Sequence, residues 1–168
     1  MCLYCNTDSN PKVATEDIIC WKIIARNKRT HATYTPYHFL YVTRDQREGK
    51  EDFVPERPGG RPTCPSDGIV NEGFIHVHFV KNVAIDKFYI LNMIPVIDDV
   101  EFLLYECVIP KGTAYYEGTD GENTYAKAAA ADKIRFVRQI NPSNEEKWAA
   151  HRYVVACIQE TGMIDRSE

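Results

Sequence analysis

The chain has 168 residues, of which 44% are hydrophobic and 26% are charged, and its formal net charge is −4 at pH 7. This length is typical of one domain with a single core, and the composition excludes a disordered, collagen-like or low-complexity protein. The acidic balance argues against a nucleic-acid polymer as partner, because proteins that bind such polymers carry an excess of basic side chains.

The N-terminal residues lack the basic start and the apolar run of a secretory signal. No apolar stretch of the chain approaches the roughly 20 residues that a membrane helix requires. We therefore expect a cytoplasmic protein with no membrane partner, in which residues 1–16 form a frayed N-terminus.

Six cysteines are spread along the chain. Without a secretory signal we expect reduced thiols, and the apolar sequence around Cys20, Cys107 and Cys157 predicts that these three lie in the core. Cys2 and Cys5 form a C-x-x-C pair, which supplies two of the four ligands of a zinc site. No second C-x-x-C and no H-x-x-x-H completes the set, so a zinc site and a terminus with two free thiols stay as alternatives.

Two extended segments joined by a basic turn are predicted next. Residues 17–24 are almost continuously hydrophobic and rich in β-branched side chains, which is typical of a strand covered on both faces. Residues 34–42 are rich in aromatic side chains and predict a second extended segment, with Pro36 near its start. Residues 44–68 are polar and carry several prolines and glycines, so we expect a long loop that is either functional or disordered.

Alternating hydrophobicity returns at residues 73–79, which predict a strand. Phe74, His76 and His78 fall on one face of this strand, and the three apolar residues between and after them fall on the other. Apolar side chains then recur at helical spacing over residues 80–91 and predict a short amphipathic helix directly after the strand.

Strands and turns alternate in the next segment of the chain. Residues 100–109, 113–117 and 133–140 have the composition of strands, and a glycine-containing turn comes after each of the first two. The alanine-rich residues 125–131 predict one or two helical turns.

The C-terminus predicts the clearest helix of the chain. Ser143 is a good N-cap residue and Glu146 stands three positions later, which is the pattern of a capping box. Apolar side chains recur at helical spacing beyond it, so we expect an apolar stripe that covers the sheet, and Gly162 is placed to end the helix.

These elements indicate an α+β fold over residues 1–168 as a single domain. We expect a mixed or mostly antiparallel sheet with two or three helices, including a C-terminal amphipathic helix.

The histidine pair is the first candidate for chemistry. Residues i and i+2 of a strand share one face, so His76 and His78 project together, as two metal ligands do. A third ligand would have to come from His31, His38 or Glu72. We favour a role in a pocket without metal, and the alternative is that both imidazoles only pack or hydrogen-bond on a half-exposed face.

The basic turn is the second candidate. Four cationic or titratable residues precede two tyrosines, so phosphate-binding groups lie close in sequence to rings that can stack on a base: Arg26, Lys28, Arg29, His31, Tyr34 and Tyr37. This combination suits a nucleotide. An ordinary solvated turn with surface charge explains the same residues equally well.

The motifs of the common enzyme classes are absent from the sequence. No P-loop, dinucleotide fingerprint, G-x-S-x-G elbow or H-E-x-x-H helix occurs, so those mechanisms lose support. Cys64 has no histidine near it in sequence, which makes a cysteine nucleophile a weaker hypothesis than a binding pocket.

Residues 72–84 read Glu-Gly-Phe-Ile-His-Val-His-Phe-Val-Lys-Asn-Val-Ala. This run resembles the second motif region of the ADP-ribosyltransferase fold, where a Gly-Phe strand carrying Ser-Thr-Ser runs into a helix with Ala and Phe on its buried face. Residues 107–113 and 133–140 resemble the paired strands that come later in that fold, and similar patterns occur in small uncharacterised proteins of bacteria and their phages. The resemblance spans residues 18–140. We predict no cofactor, with NAD and zinc as the alternatives.

This chain departs from the transferase pattern at its functional positions. Residues 76–78 read His-Val-His in place of Ser-Thr-Ser, and the first strand offers Lys22 or Arg26 in place of a positioned Arg or His. Where the resemblance implies a catalytic Glu, four alanines at residues 128–131 precede Asp132. The family's Glu stabilises developing charge, so its absence argues against ordinary ADP-ribosyl transfer.

Our leading sequence-based hypothesis is a binding protein for a nucleotide or a related phosphorylated small molecule, which it would sequester. Arg26, Arg29 and His31 would hold the phosphate, Tyr34 and Tyr37 would stack, and the histidine pair would bind the sugar or the phosphate. The first alternative is a divergent ADP-ribosyltransferase or phosphotransfer enzyme that uses His76 or His78 as acid or base. The second is a structural or protein-interaction module that uses residues 44–68, and self-association into a homo-oligomer stays open.

Overall fold

The computed structural model describes residues 3–4, 10–36, 40–55, 75–94, 99–121 and 123–161. Within these residues the chain forms three helices: α1 (Arg44–Arg47), α2 (Lys81–Met93) and α3 (Asn144–Glu160). It also forms ten strands: β1 (Leu3–Tyr4), β2 (Lys12–Val13), β3 (Ile18–Asn27), β4 (Thr33–Tyr34), β5 (Tyr41–Val42), β6 (Ile75–His78), β7 (Val100–Ile109), β8 (Ala114–Asp120), β9 (Lys127–Ala131) and β10 (Arg135–Ile140). The predicted α+β class is confirmed.

The sheet is antiparallel at every described pairing and is built around β3. That strand pairs with β7 along all ten of its residues, and β10 adds to the far side of β7. On its other side β3 pairs with β6 through Trp21 and His78, and with β4 through Ala25 and Tyr34. From β6 the sheet continues through β9 to β8, which also pairs with β1 and β2.

Two apolar clusters cover the two faces of β3, because side chains alternate along a strand. The larger cluster lies on the face of Cys20 and Ile24 and includes Ile75, Val77, Tyr105 and Phe136. The smaller one lies on the face of Ile23, beneath α2 and α3, and includes Leu104, Ile140, Ala84, Ile85 and Ala150. The prediction of a first strand buried on both faces is confirmed.

Residues 125–131 differ from the prediction of helical turns, because residues 127–131 form β9. Alanine favours helices intrinsically, but β9 lies between β6 and β8 and pairs with both. Ala128 and Ala131 are fully buried there. Two neighbouring strands that supply hydrogen bonds on both sides outweigh a weak local preference.

The described parts of residues 1–16 are tied into the sheet, which differs from a frayed terminus. Leu3 is fully buried and lies opposite Asp120, and Lys12 lies opposite Tyr115. Cys2 and Cys5 fall outside the described residues.

The predicted loop at residues 44–68 begins with ordered structure. Thr43 and Gln46 form a capping box on α1, and the buried Phe53 bridges to Ile134 beside β10. Residues 56–68 lie outside the described ranges.

Helix α3 begins as the sequence predicts. The Ser143 Oγ accepts a hydrogen bond from the Glu146 N–H at 3.2 Å, and the Glu146 carboxylate accepts one from the Ser143 N–H at 3.2 Å. The helix packs mainly against α2 rather than covering the sheet as predicted. Of its residues only Ala150 is fully buried, and Trp148 is exposed. In the part of the chain that the structure describes, no helix is long and apolar enough to cross a membrane.

Candidate functional site

The basic turn after β3 is held together by its own ion pairs. The Arg26 Nε donates a hydrogen bond to the Glu101 carboxylate at 2.7 Å, and the Arg29 Nε donates one to the Asp99 carboxylate at 3.1 Å. Both carboxylates come from the chain at the start of β7. The positive charge predicted to hold a phosphate is therefore already paired with carboxylates of the protein.

Backbone contacts fix the same turn. The Asn27 side-chain oxygen accepts hydrogen bonds from the N–H groups of Arg29 and Thr30, at 2.8 and 3.0 Å. His31 has φ of +62°, in the left-handed region, and its side chain is exposed. These contacts favour the interpretation of the segment as a solvated structural turn.

Of the two tyrosines predicted to stack on a base, the structure describes one. Tyr34 lies on β4 opposite Ala25 and is half-buried. Tyr37 lies outside the described residues, as do His38, Glu72 and Cys64, so the roles predicted for them stay predictions.

The histidine pair lies on β6 and faces the helices. His76 is half-buried, whereas His78 is only 3% exposed. Burial lowers the pKa of His78 to about 3, so its imidazole is neutral at physiological pH. A neutral, buried ring of such low pKa is a poor general base near neutral pH.

The structure does not bring the basic turn and the histidine pair together. His78 lies opposite Trp21 on the sheet face that α2 covers, whereas Arg26 belongs to the alternate set of β3 side chains and lies on the other face. Trp21 and Ala25, which mark the two pairing points, are four residues apart along β3, or about 13 Å. The two halves of the predicted ligand site are therefore separated by the sheet.

A polar cluster that the sequence did not indicate lies beneath α2. The Lys87 Nζ of α2 contacts the Asp120 carboxylate of β8 at 2.8 Å, and Asp86 contacts the His151 Nδ1 of α3 at 3.0 Å. These pairs tie α2 to the sheet on one side and to α3 on the other. The residues are far apart in sequence, so no local pattern relates them.

Lys22 is the buried cation of β3. Its Nζ donates a hydrogen bond to the His76 carbonyl oxygen on the neighbouring strand at 2.8 Å. Burial lowers the pKa of Lys22 to about 8. The residue that the transferase resemblance places at a functional position thus holds β3 to β6.

A groove of about 530 Å³ opens at the end of the sheet where β2, β8 and β9 meet. Seven of the described residues line it, and all but the glycine carry polar or charged side chains: Asn10, Lys12, Glu117, Gly118, Thr119, Thr124 and Lys127. Among these described residues, two lysines and one glutamate give a net positive charge, in a chain whose total charge is −4.

The strand register places the charged side chains of the groove on one face. Lys12 lies opposite Tyr115, and Lys127 lies opposite Thr119. Glu117 stands midway between Tyr115 and Thr119 on β8, so it shares their face. The Lys12 Nζ forms an ion pair with the Glu117 carboxylate, and this hydrogen bond raises the pKa of Lys12.

Lys127 is the second cation of the groove. Its side chain is exposed, and within the described residues it forms no ion pair. Sequence reasoning missed this groove because Lys12 and Lys127 are single basic residues with apolar neighbours, far apart in the chain, and no local pattern relates them. Their proximity depends on the pairing of three strands.

Among the residues that the structure describes, no group of three or more His, Cys, Asp or Glu side chains is arranged to hold a metal ion. The zinc alternative at Cys2 and Cys5 falls outside those residues and stays a prediction.

The transferase resemblance concerns residues 18–140, in which β6 runs directly into α2. The family assignment itself stays a prediction. No protein-family model, no curated protein and no solved structure matches this chain.

Proposed function

We propose that the protein binds a small phosphorylated molecule in the groove between β2, β8 and β9. The observation that carries the proposal is the pair of lysines, Lys12 and Lys127, on the two strands that flank β8 within a groove of about 530 Å³. Lysine ammonium groups are common phosphate ligands in proteins. The volume lies within the range of about 300–1,000 Å³ that small-molecule sites occupy.

The neutral side chains of the groove suit the rest of such a ligand. Asn10, Thr119 and Thr124 supply amide and hydroxyl groups, which hydrogen-bond sugar hydroxyls or phosphate oxygens. The seven lining residues that the structure describes include no aromatic ring. A ligand whose affinity depends on its phosphate and sugar fits these groups better than one that depends on a stacked base.

The proposed groove binds its ligand without converting it. The seven described lining residues include no histidine and no cysteine, the side chains that most often act as base or nucleophile near neutral pH. Sequestration of a phosphorylated metabolite needs neither. This proposal keeps the phosphorylated ligand of the sequence-based hypothesis and moves it from Arg26 and Arg29, which are both paired with carboxylates, to a groove in which Lys127 forms no ion pair among the described residues.

The test is isothermal titration calorimetry of the purified protein with ribose 5-phosphate, pyrophosphate, AMP, NAD and uncharged ribose. We expect ribose 5-phosphate and AMP to bind with similar affinity and ribose not to bind. The double variant Lys12→Gln/Lys127→Gln should lose at least ten-fold in affinity, since two charge-assisted contacts of roughly 1 kcal/mol each are removed.

The matched control is Lys28→Gln/Lys50→Gln, which removes the same charge from exposed lysines outside the groove. Its affinity should equal that of the unmodified protein. If the control loses binding and the groove variant keeps it, or if no phosphorylated compound binds, the proposal is wrong.

A further inference from the structure

Glu117 occupies the central position among the charges of the groove. It lies on β8, two residues from Tyr115, which faces Lys12 of β2, and two residues from Thr119, which faces Lys127 of β9. It is therefore the diagonal neighbour of a lysine on each side. Diagonal neighbours on one sheet face are within reach of long side chains.

The Glu117 carboxylate forms an ion pair with only one of the two lysines. Glu117 forms its ion pair with Lys12, whereas Lys127 forms none among the described residues. The Lys12 and Glu117 side chains are 59% and 36% exposed, so the pair can open without disturbing the core. An exposed pair of this kind is weak enough to be exchanged for a ligand.

We propose that the Glu117 carboxylate competes with the anionic group of the ligand for Lys12, a role that rests on the function proposed above. The phosphate docks first against Lys127 and then replaces the Glu117 carboxylate on Lys12. The released carboxylate then lies beside the bound anion, and this repulsion lowers affinity for every anion that enters.

The opposite role for the same carboxylate is to accept a hydrogen bond from a sugar hydroxyl. The two roles predict different results for Glu117→Gln, which keeps the size of the side chain and removes its charge. A competitor, once removed, makes all phosphate ligands bind more tightly. A hydroxyl acceptor, once weakened, makes ribose 5-phosphate bind more weakly and leaves pyrophosphate unchanged.

The experiment compares Glu117→Gln with the unmodified protein by titration with ribose 5-phosphate and with pyrophosphate at low and at raised salt. We expect both ligands to bind about two- to five-fold more tightly to the variant, the factor that an exposed ion pair contributes. The gain should shrink as salt rises. The control is Glu106→Gln, whose carboxylate pairs with Arg138 on β10 outside the groove and whose loss should leave both affinities unchanged.

The outcomes separate this inference from the proposed function. If the unmodified protein binds through Lys127 but Glu117→Gln binds no more tightly, the competitor role is overturned and the groove remains the site. Weaker binding of ribose 5-phosphate alone establishes the hydroxyl-acceptor role in its place. If neither ligand binds the unmodified protein or the variant, the proposed function fails and the competitor role fails with it.

Discussion

His78 of β6 lies directly opposite Trp21 of β3, and both side chains lie on the sheet face that α2 covers. Neither the Trp21 Nε1 nor the His78 Nδ1 has a hydrogen-bond partner among the described residues, and both atoms are buried. A buried polar atom without a partner destabilises the fold. The histidine that the sequence marks as a candidate for chemistry therefore has its clearest consequence for stability.

Acid sensitivity is the first prediction. Burial lowers the pKa of His78 to about 3, whereas an unfolded histidine titrates near 6.5. Between these values the unfolded chain binds a proton that the folded chain does not, so the free energy of unfolding falls as the pH falls from 6.5 toward 3. This group contributes a loss of at most about 1.4 kcal/mol per pH unit.

The variant His78→Leu should lose that share of the acid sensitivity. Urea unfolding at about pH 7 and about pH 4.5 gives the free energy of unfolding at each pH. Between the two pH values, we expect this free energy to fall by about 2 to 3 kcal/mol less in the variant than in the unmodified protein. His31→Asn is the control, because His31 is exposed and asparagine tolerates its positive φ. If the free energy of unfolding fell by the same amount in the unmodified protein and in His78→Leu, the His78 ring would be open to solvent.

Alkaline stabilisation is the second prediction. Burial lowers the pKa of Lys22 to about 8, below the 10.5 of an exposed lysine. Below pH 8 both states are charged and the cost of burying the ammonium is fully present. As the pH rises from 8 to 10.5 the folded state is relieved of that cost.

Relative to Lys22→Met, the unmodified protein should therefore gain up to about 3 kcal/mol in its free energy of unfolding over this range. Denaturant titrations of both proteins at about pH 7.5 and about pH 10 give the difference, and Lys28→Met controls for an exposed lysine. If the free energy of unfolding changed equally with pH in the unmodified protein and in Lys22→Met, this would contradict the buried position of Lys22.

Thiol reactivity is the third prediction. Cys20 lies opposite Cys107 across β3 and β7, and both side chains are fully buried. Burial raises the pKa of Cys20 to about 12 and that of Cys107 well above its ordinary value, so neither is a thiolate near neutral pH. Iodoacetamide should therefore modify the half-buried Cys157 faster than either of them.

Peptide mass spectrometry after timed alkylation measures the three rates. In guanidinium chloride, where burial is lost, Cys20, Cys107 and Cys157 should react alike. Native-state labelling of Cys20 or Cys107 as fast as that of Cys157 would mean that this part of the core opens readily.

Helix capping is the fourth prediction. Ser143 accepts the Glu146 N–H at the start of α3, so Ser143→Ala should lower the free energy of unfolding by about 1 kcal/mol. Glu146→Gln keeps the reciprocal hydrogen bond of the capping box and should lower the free energy of unfolding by less. Guanidinium unfolding of both variants tests this, and an equal effect of the two substitutions would contradict it.

Local patterns predicted much of the fold. The Ser143 and Glu146 spacing predicted the start of α3, and the alternation at residues 73–79, with helical spacing after it, predicted β6 and α2. These features depend on neighbours within one turn or one strand. The alanines of β9 show the limit, because their conformation is decided by β6 and β8, which are distant in sequence.

The candidate site was harder to predict, because charge in sequence does not reveal pairing in space. Arg26 and Arg29 form the densest basic cluster, yet Glu101 and Asp99 pair with them from 75 and 70 positions away. Lys12 and Lys127 look like ordinary surface lysines in sequence and meet only because β2 and β9 flank β8. The nucleotide site predicted at the basic turn and the groove site proposed from the structure therefore differ in location.

Backbone amide shifts in a ¹H–¹⁵N titration with ribose 5-phosphate locate the ligand most directly. The proposed function predicts saturable shifts at Thr119, Thr124 and Lys127, with little change at Arg29 and His31. Shifts confined to the basic turn, or no saturable shift at any residue of the groove, would contradict it.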